Sequence, residues 1–298
     1  MRRLDEDSLP AIGVSRSGRK GTQALEEINA HTDWHGVLDR IDTVVHLAAR
    51  VHVMHDSASD PLETFREVNV AGTRRLANRA AAAGVRRLVF MSSIKVHGEA
   101  TVPGAPLRAE DPFTPLDPYA RSKLEAEQAL REVADETGLD VVVIRPPLVY
   151  GPGVGANFAR LMRLVEKGIP LPFGATDNRR SLVALDNLVD LVVRCIHTPQ
   201  AAGQAFLVSD DDDVSTAWLL REIAGAMGRP ARLLPVPPSM LRLVGRLTGR
   251  LDEVDRLCES LQVDIADTRA TLDWEPPFGV KAELRETVAH FLEPRSES

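Results

Sequence analysis

Short runs of apolar, β-favouring residues alternate with longer amphipathic segments over the first half of the chain. Buried strands are predicted for the apolar runs Ala11–Ser15, Thr43–Leu47, Arg87–Met91 and Val141–Arg145. Between them, Pro61–Ala83 and Tyr119–Thr137 carry small and apolar residues at helical spacing. Strands that alternate with helices through short connections are typical of an α/β fold with a doubly wound parallel sheet.

The pattern changes after Gly153, where the segments become shorter and Gly and Pro recur. The stretch Arg180–His197 predicts a strand and a helix that return to the sheet. Further helices are predicted within Val214–Gly228, Pro238–Arg250 and Lys281–Leu292. We therefore expect a dinucleotide-binding Rossmann domain (residues 1–153 and 179–200) and a smaller, mostly helical substrate-binding lobe (residues 154–178 and 201–298).

Composition narrows the class of protein. A net charge of −7 over 298 residues, with no dominant basic stripe, argues against a nucleic-acid-binding protein. The chain has no apolar run as long as a membrane span and no signal peptide, so a cytoplasmic protein is expected. Cys195 and Cys258 lie far apart without metal-type spacing, and we expect both to be small buried side chains.

No metal site is predicted. The run Asp210–Asp213 is expected to form a solvated turn before a helix whose N-cap lies at Ser215 or Thr216.

The candidate chemistry centres on Tyr119 and Lys123. Residues at i and i+4 project from one face of a helix, so the lysine ammonium is expected to lower the pKa of the phenol. Tyr119 would then act as an acid/base at neutral pH. Ser93, at the end of an apolar run, would hold a substrate oxygen beside that phenol.

Several ordered motifs surround these residues. They are Asp42–Ala49, Asn69–Thr73, Leu88–Ser93 and Arg145–Gly153. Together with the tyrosine and lysine, they resemble the extended short-chain dehydrogenase/reductase family (the NAD-dependent epimerase/dehydratase family). The resemblance extends from about residue 11 to the C-terminus and is strongest for nucleotide-sugar 4-epimerases of the bacterial branch that serves O-antigen and exopolysaccharide synthesis.

The resemblance assigns roles to individual residues. Ser93, Tyr119 and Lys123 would be catalytic, with Lys123 also holding the nicotinamide ribose. Ser93 matches the catalytic Ser/Thr because it precedes Val96-His97-Gly98, although His97 stands where the family usually has tyrosine and is expected to be structural. The other cofactor-binding positions implied are Ser15, Arg16, Leu47, Ala48, Ala49, Asn69, Pro146 and Leu148. Substrate would contact Ser93, Asn157 and Arg180, with Phe173 either stacking on a base or belonging to the core, and Arg256 as a weaker diphosphate ligand.

One motif of the family is missing from this sequence. A Rossmann domain normally begins with a strand and a glycine-rich loop that receives the pyrophosphate. Here Met1–Asp7 is expected to end the first helix and Ala11–Ser15 to form the second strand, and Gly18 and Gly21 do not replace the loop. About 25–30 residues of such a unit would be absent, because the true start codon lies upstream or because the chain is a fragment.

The resemblance implies a nucleotide-sugar 4-epimerase acting on a UDP-hexose or UDP-N-acetylhexosamine through a transient 4-keto sugar, with NAD or NADP as cofactor. Ile94 and Lys95 replace the acidic pair expected of a 4,6-dehydratase. The alternatives left open are an NADPH-dependent keto-sugar reductase, favoured by Arg16, and a truncated, catalytically impaired fragment. The basic, apolar segment Met240–Arg250 leaves open work on a lipid-linked sugar at a membrane surface. A homodimer through a four-helix interface is also implied.

Overall fold

The computed structural model describes residues 3–4, 9–16, 18, 22–25, 27–51 and 60–293. The strands are β1 (Gly13–Ser15), β2 (Thr22–Ala24), β3 (Thr43–His46), β4 (Arg87–Met91), β5 (Asp140–Arg145), β6 (Leu148–Tyr150), β7 (Leu182–Ala184) and β8 (Ala205–Leu207). The helices are α1 (Pro61–Arg66), α2 (Thr73–Ala82), α3 (Pro118–Thr137), α4 (Ala156–Glu166), α5 (Leu185–His197), α6 (Thr216–Ala226), α7 (Pro238–Thr248), α8 (Leu251–Cys258), α9 (Ala266–Leu272) and α10 (Val280–Leu292).

The main sheet has four parallel strands in the order β3-β4-β5-β8. Strands β4 and β5 are buried on both faces, because their runs of Leu, Val, Ile and Phe pack against helices on either side. The register pairs His46 of β3 with Phe90 of β4, and Met91 of β4 with Ile144 of β5. The carboxyl ends of these three strands therefore lie side by side. Ligands of doubly wound folds bind at this edge. The predicted α/β fold is confirmed.

Strands β1 and β2 form a separate parallel pair. Within the described residues, β1 pairs with β2 alone and β3 pairs with β4 alone. Of the predicted helix end Met1–Asp7, only Arg3 and Leu4 are described, and both are helical; the other positions, like Gly21, lie outside the described residues.

The predicted segment Pro61–Ala83 is helical but not uniform. A π-helical stretch, Glu67–Gly72, connects α1 and α2. Such stretches are frequent at functional sites because they turn a side chain away from its α-helical direction. Gly72 is required by close packing, since a Cβ there would lie 2.9 Å from the Ile28 side chain.

Helix α3 begins and ends at clear signals. Asp117 is the N-cap, and its side chain accepts a 2.6 Å hydrogen bond from the Ala120 amide. Pro118 occupies the first turn, and Gly138 ends the helix with a φ of 76°. Tyr119 therefore lies in the first turn, and Lys123 lies one turn further along the same face.

Two expectations for the second half are corrected. Strand β8 falls within the predicted lobe, but it pairs with β5 and so extends the main sheet. Asp210 is not solvated: it is buried, accepts a 2.7 Å hydrogen bond from the Tyr150 hydroxyl, and also accepts from Asn187 and the Ala184 amide. The predicted N-cap is confirmed, because the Ser215 side chain accepts from the Trp218 amide. The division into domain and lobe otherwise stays a prediction.

The remaining structural expectations concern cysteines and membrane helices. Both cysteines are free and buried, as expected, and burial raises the pKa of the Cys195 thiol to about 12. In the part of the chain that the structure describes, no helix combines the length and the apolar character needed to span a bilayer.

Candidate active site

A cavity of about 1060 Å³ opens at the carboxyl ends of β4 and β5. Eight of the predicted site residues line it: Ser93, Tyr119, Pro146, Leu148, Asn157, Phe173, Arg180 and Arg256. One wall comes from the main sheet and helix α3, and the opposite wall comes from α4, α7 and α8. The fold thus brings residues from positions 93 to 180 to one site, as the motif order predicted.

Ser93 and Tyr119 meet on the sheet side of the cavity. The Ser93 hydroxyl hydrogen-bonds to the phenol of Tyr119, and it also accepts from the Lys95 amide at 3.3 Å. Ser93 is the N-cap of a short 3-10 turn, Ile94–Val96, which directs its side chain towards α3. Phe65 of α1 packs edge-on against the Tyr119 ring, with 6.2 Å between the ring centres. The phenol is therefore held between a hydroxyl and an aromatic ring.

Lys123 does not line the cavity: it is buried in α3, one turn after Tyr119, with only 2% of its surface exposed. Its ammonium lies over the Phe90 ring, 4.1 Å from the ring centre. Burial lowers the pKa of Lys123 to about 7, and the negative charge of Glu127, one turn further along α3, acts in the opposite direction. The described residues offer this ammonium an aromatic face and a nearby charge rather than a hydrogen-bond acceptor.

The expected effect of Lys123 on the phenol is not found. The pKa of Tyr119 is raised to about 12, because burial disfavours the phenolate and the charge of Asp117 adds to that effect. Only the hydrogen bond from Ser93 acts in the lowering direction. The predicted helical spacing of Tyr119 and Lys123 was correct. Because Lys123 is buried and its own pKa is lowered to about 7, its charge has little effect on the pKa of the Tyr119 phenol.

Asn69, in the π-helical stretch, connects two neighbouring segments through its side chain. Its side-chain oxygen accepts from the Arg50 amide at 2.7 Å, and its amide group donates to the Arg50 carbonyl and to the Ser122 hydroxyl. It therefore ties the segment after β3 to the residue before Lys123. His46, expected to be structural, is buried and hydrogen-bonds to Thr73 at 2.9 Å.

The other predicted cofactor positions lie outside the cavity lining. Leu47, Ala48 and Ala49 follow β3, and Leu47 is 62% exposed. Ser15 ends β1, where its hydroxyl hydrogen-bonds to Thr22 at 2.8 Å, and Arg16 is exposed beside it. Ser15 and Arg16 thus lie at the carboxyl end of β1, and Leu47, Ala48 and Ala49 lie at the carboxyl end of β3.

A nicotinamide cofactor can be tested against these positions. At the sheet edge, Leu47 and Leu148 are large apolar side chains left exposed, which a flat ring and its ribose would cover. The described residues give the Lys123 ammonium no hydrogen-bond acceptor, and ribose hydroxyls would supply one. The residues present therefore fit the nicotinamide end of such a cofactor, whereas the described residues provide no glycine-rich loop for its pyrophosphate.

The opposite wall holds the predicted substrate residues. Arg180 donates to the Glu259 carbonyl at 2.9 Å, and burial lowers its pKa. Asn157 is exposed in the first turn of α4. Phe173 lines the cavity and also packs against the core formed by α4, α6 and α10, and its stacking on a base stays a prediction. Arg256 lies on the same wall.

A buried polar network behind the site was missed by sequence reasoning. Glu127 and Arg145 form a bidentate ion pair, with a shortest distance of 2.7 Å, and the Ser92 hydroxyl donates to the same carboxylate. Arg145 also donates to Nε2 of His97, at 3.0 Å. His97 is therefore structural, as expected. Its pKa is lowered mainly by burial and, to a smaller extent, by the positive charge of Arg145.

A second missed group lies in the cavity itself. The Lys95 ammonium is 2.6 Å from Glu99 and 2.8 Å from Asp117, and Glu99 is 3.7 Å from Arg256 on the opposite wall. The spacing of Lys95 and Glu99, four residues apart, was visible in the sequence. Their connection to Asp117 and Arg256 depends on tertiary structure.

Comparisons with known proteins agree with this geometry. A UDP-glucose 4-epimerase of Vibrio cholerae is 53% identical over 294 residues, which cover 97% of this chain and 90% of that protein. An N-acetyl-alpha-D-glucosaminyl-diphospho-ditrans,octacis-undecaprenol 4-epimerase of Escherichia coli O157:H7 is 27% identical, over 84% of this chain and 77% of that protein.

Solved structures show the same fold. The crystal structure of a UDP-glucuronic acid 4-epimerase from Bacillus cereus, in complex with NAD, superposes with a TM-score of 0.76 at 17% identity, over 97% of this chain and 92% of that one. The family model described as "NAD dependent epimerase/dehydratase family" matches residues 1–209. The predicted family and its nicotinamide cofactor are thereby confirmed, and the chain is an enzyme of the NAD-dependent epimerase/dehydratase family.

Proposed function

We propose that this protein is a nucleotide-sugar 4-epimerase that acts on a UDP-hexose or a UDP-N-acetylhexosamine in cell-surface polysaccharide synthesis. The observation that carries the proposal is the meeting of Ser93 and Tyr119 on the wall of one cavity, with the buried Lys123 one helical turn from Tyr119. The similarity over nearly the whole chain to a UDP-glucose 4-epimerase supports the same activity.

Each catalytic side chain has a distinct task. Tyr119 takes the proton from the sugar hydroxyl at C4 and returns it later in the cycle. Ser93 hydrogen-bonds to the same sugar oxygen and keeps it beside the phenol. Lys123 would hold the ribose of the cofactor, and its ammonium, one helical turn from Tyr119, would then stabilise the phenolate. When bound, NAD would supply the hydride acceptor and donor for C4, so that the sugar could pass through a 4-keto form and be reduced again on its other face.

The opposite wall is suited to a nucleoside diphosphate. The planar guanidinium of Arg180 matches phosphate geometry, and Asn157 offers amide donors nearby. Phe173 presents an aromatic ring to the cavity, against which a uracil base can stack. A UDP-sugar would thus span the cavity, with its sugar at Ser93 and its diphosphate towards α8.

A lipid-linked sugar is a second candidate substrate. Helix α7 lines the cavity with Leu241 and Gly245 while it exposes Met240, Leu243 and Leu247, the last to 80%. An exposed apolar stripe beside a cavity suits a substrate whose carrier lies in a membrane surface. The relative from Escherichia coli O157:H7 is named as an epimerase of a sugar linked to diphospho-undecaprenol, which is a lipid carrier.

Three further properties are part of the proposal. The chain divides into the Rossmann domain and lobe given above, with β8 moved to the domain. We expect a homodimer through α1–α2 and α3, which pack against each other, and a cytoplasmic location. Light scattering on the purified protein would test the dimer: a mass near 32.6 kDa, that of one chain, would contradict it.

Interconversion of C4 epimers tests the function directly. The protein would be incubated with UDP-glucose or UDP-N-acetylglucosamine and excess NAD, and the epimers would be separated and quantified. Tyr119→Phe should lower kcat about 10²- to 10⁴-fold, the usual contribution of a general acid/base. Tyr150→Phe removes the hydroxyl of the other tyrosine, which bonds to Asp210 away from the cavity, and serves as the matched control.

The same assay separates the alternatives. A reductase would consume NADPH stoichiometrically, whereas an epimerase leaves the total amount of reduced cofactor unchanged. Equal activity of Tyr119→Phe and the native protein would refute the assignment, and so would the absence of any epimer when NAD is saturating. Turnover of an undecaprenyl-diphosphate sugar, without turnover of UDP-sugars, would favour the second candidate.

A further inference from the structure

Lys95 occupies a position for which the proposed reaction has no assigned role. It follows Ser93 by two residues in the 3-10 turn after β4, and it lines the cavity beside Ser93 and Tyr119. Its ammonium contacts two carboxylates, Glu99 at 2.6 Å and Asp117 at 2.8 Å. All three side chains are about three-quarters buried, so these ion pairs are screened less than surface pairs.

Asp117 connects this lysine to the phenol. One oxygen of its carboxylate caps α3 by accepting from the Ala120 amide, and the other accepts from Lys95. Tyr119 lies in the turn that this cap begins. The cap therefore fixes where the phenol points, and its negative charge opposes formation of the phenolate beside it.

Glu99 connects the same lysine to the opposite wall. Its second oxygen lies 3.7 Å from Nε of Arg256 on α8. Arg180 also feels the charge of Glu99, although Glu259 acts on it more strongly. The chain of charges Asp117–Lys95–Glu99–Arg256 thus runs from the first turn of α3 to the wall that faces the diphosphate.

We propose that Lys95 is a positioning residue for Tyr119: it holds the Asp117 cap in place and offsets part of its charge, so that ionisation of the phenol is opposed less strongly than it would be without the lysine. The inference rests on the proposed epimerase function. The other groups found at the phenol are the Ser93 hydroxyl and the Phe65 ring, while Lys123 lies one turn further along α3. The Lys123 ammonium lies over the Phe90 ring. Lys95, by contrast, forms an ion pair with Asp117, the carboxylate that opposes ionisation of the Tyr119 phenol.

The two partners should have opposite effects on the phenol. Lys95→Met leaves the Asp117 charge without its counter-ion, so ionisation of Tyr119 becomes harder. Asp117→Asn keeps a good N-cap residue but removes the charge, so ionisation becomes easier. The double variant should return close to the native value, and Lys95→Arg, which can bridge both carboxylates, should restore most of the loss.

The chain allows ionisation of this phenol to be observed without substrate, because it contains two tyrosines, Tyr119 and Tyr150. Protein labelled with 3-fluorotyrosine should give two fluorine resonances, assigned with Tyr119→Phe. The Tyr119 titration should move to higher pH in Lys95→Met and to lower pH in Asp117→Asn. Lys281→Met is the matched control, since Lys281 pairs with Glu222 at 3.6 Å outside the cavity lining.

Kinetics provide the second measurement. Lys95→Met should lower kcat for epimerisation about tenfold, the factor that corresponds to one pKa unit of the phenol, with little change in KM. A KM effect without a kcat effect would make Lys95 a substrate-binding residue and would overturn the inference. So would Tyr119 titrations that stay at the native pH, or that move in the same direction in both single variants. If the native protein epimerises no sugar, the proposed function fails, while the titrations still decide the role of Lys95.

Discussion

Lys123 allows a stability prediction that is independent of any substrate. Its ammonium is almost fully buried, and the pKa of the group falls from 10.5 to about 7. The protein thus retains, for function, a charge that its interior disfavours. Replacing it with methionine, which has a similar shape and no charge, should stabilise the fold while abolishing epimerisation.

The magnitude follows from the two pKa values. At about 1.36 kcal/mol per pKa unit, the difference between 10.5 and about 7 corresponds to roughly 5 kcal/mol. Because the folded pKa lies below the unfolded one, the unfolded chain binds more protons between about pH 7 and 10.5, and native stability rises with pH across that window. The cost of the buried charge is therefore greatest below pH 7 and disappears above 10.5. After relaxation around the charge, we expect Lys123→Met to gain about 1–4 kcal/mol near pH 6.

Urea unfolding at about pH 6 and about pH 10 measures this effect. Lys123→Met should have the higher midpoint at the lower pH, and the two midpoints should converge at the higher pH. Lys281→Met, at an exposed ion pair, controls for the general effect of removing a lysine charge. The reasoning is refuted if Lys123→Met is no more stable than the native protein near pH 6, or if its advantage is the same at both pH values.

Two further predictions concern other parts of the site. Arg145→Met should lower the free energy of unfolding by about 3–5 kcal/mol, because it leaves the buried Glu127 carboxylate without its ion-pair partner. Arg86→Met, at an exposed ion pair, should lower it by less than about 1 kcal/mol. Equal losses of the two variants in chemical denaturation would contradict the buried-pair argument. Arg180→Ala should raise the Kd for UDP about 10- to 100-fold, because a charge-assisted hydrogen bond to the diphosphate is lost. Calorimetry would measure this Kd, with Arg179→Ala, at the exposed neighbouring residue, as the control. Equal weakening of binding in both variants would contradict the assignment.

The parts of the fold that sequence patterns predicted are those governed by local chemistry. Strands β4 and β5 have runs of large apolar residues, which indicate a strand buried on both faces. Helix α3 has an Asp-Pro start and a glycine end, each a recognised boundary signal. Strand β8 was missed because three residues between turns carry too little periodicity to be distinguished from a loop.

Residues whose partners are distant in sequence were predicted less well. Asp210 was expected in solvent because it begins a run of four aspartates. It is buried because Tyr150 and Asn187, 60 and 23 residues away, supply donors to its carboxylate. Composition gives the average environment of such a run, and only the tertiary fold decides which member turns inward.

The same distinction explains the result at the reaction centre. Helical spacing was sufficient to place Tyr119 and Lys123 on one face of α3, because that geometry depends on the backbone alone. The electrostatic effect of the lysine depends on what surrounds it, and β4 places the Phe90 ring beneath the ammonium and withdraws it from water. A cation that is close to losing its proton cannot by itself lower the pKa of a phenol. Activation of Tyr119 therefore depends on groups outside the Tyr-Lys motif: the Asp117 charge opposes ionisation, and the Lys95 ammonium is bound to that carboxylate.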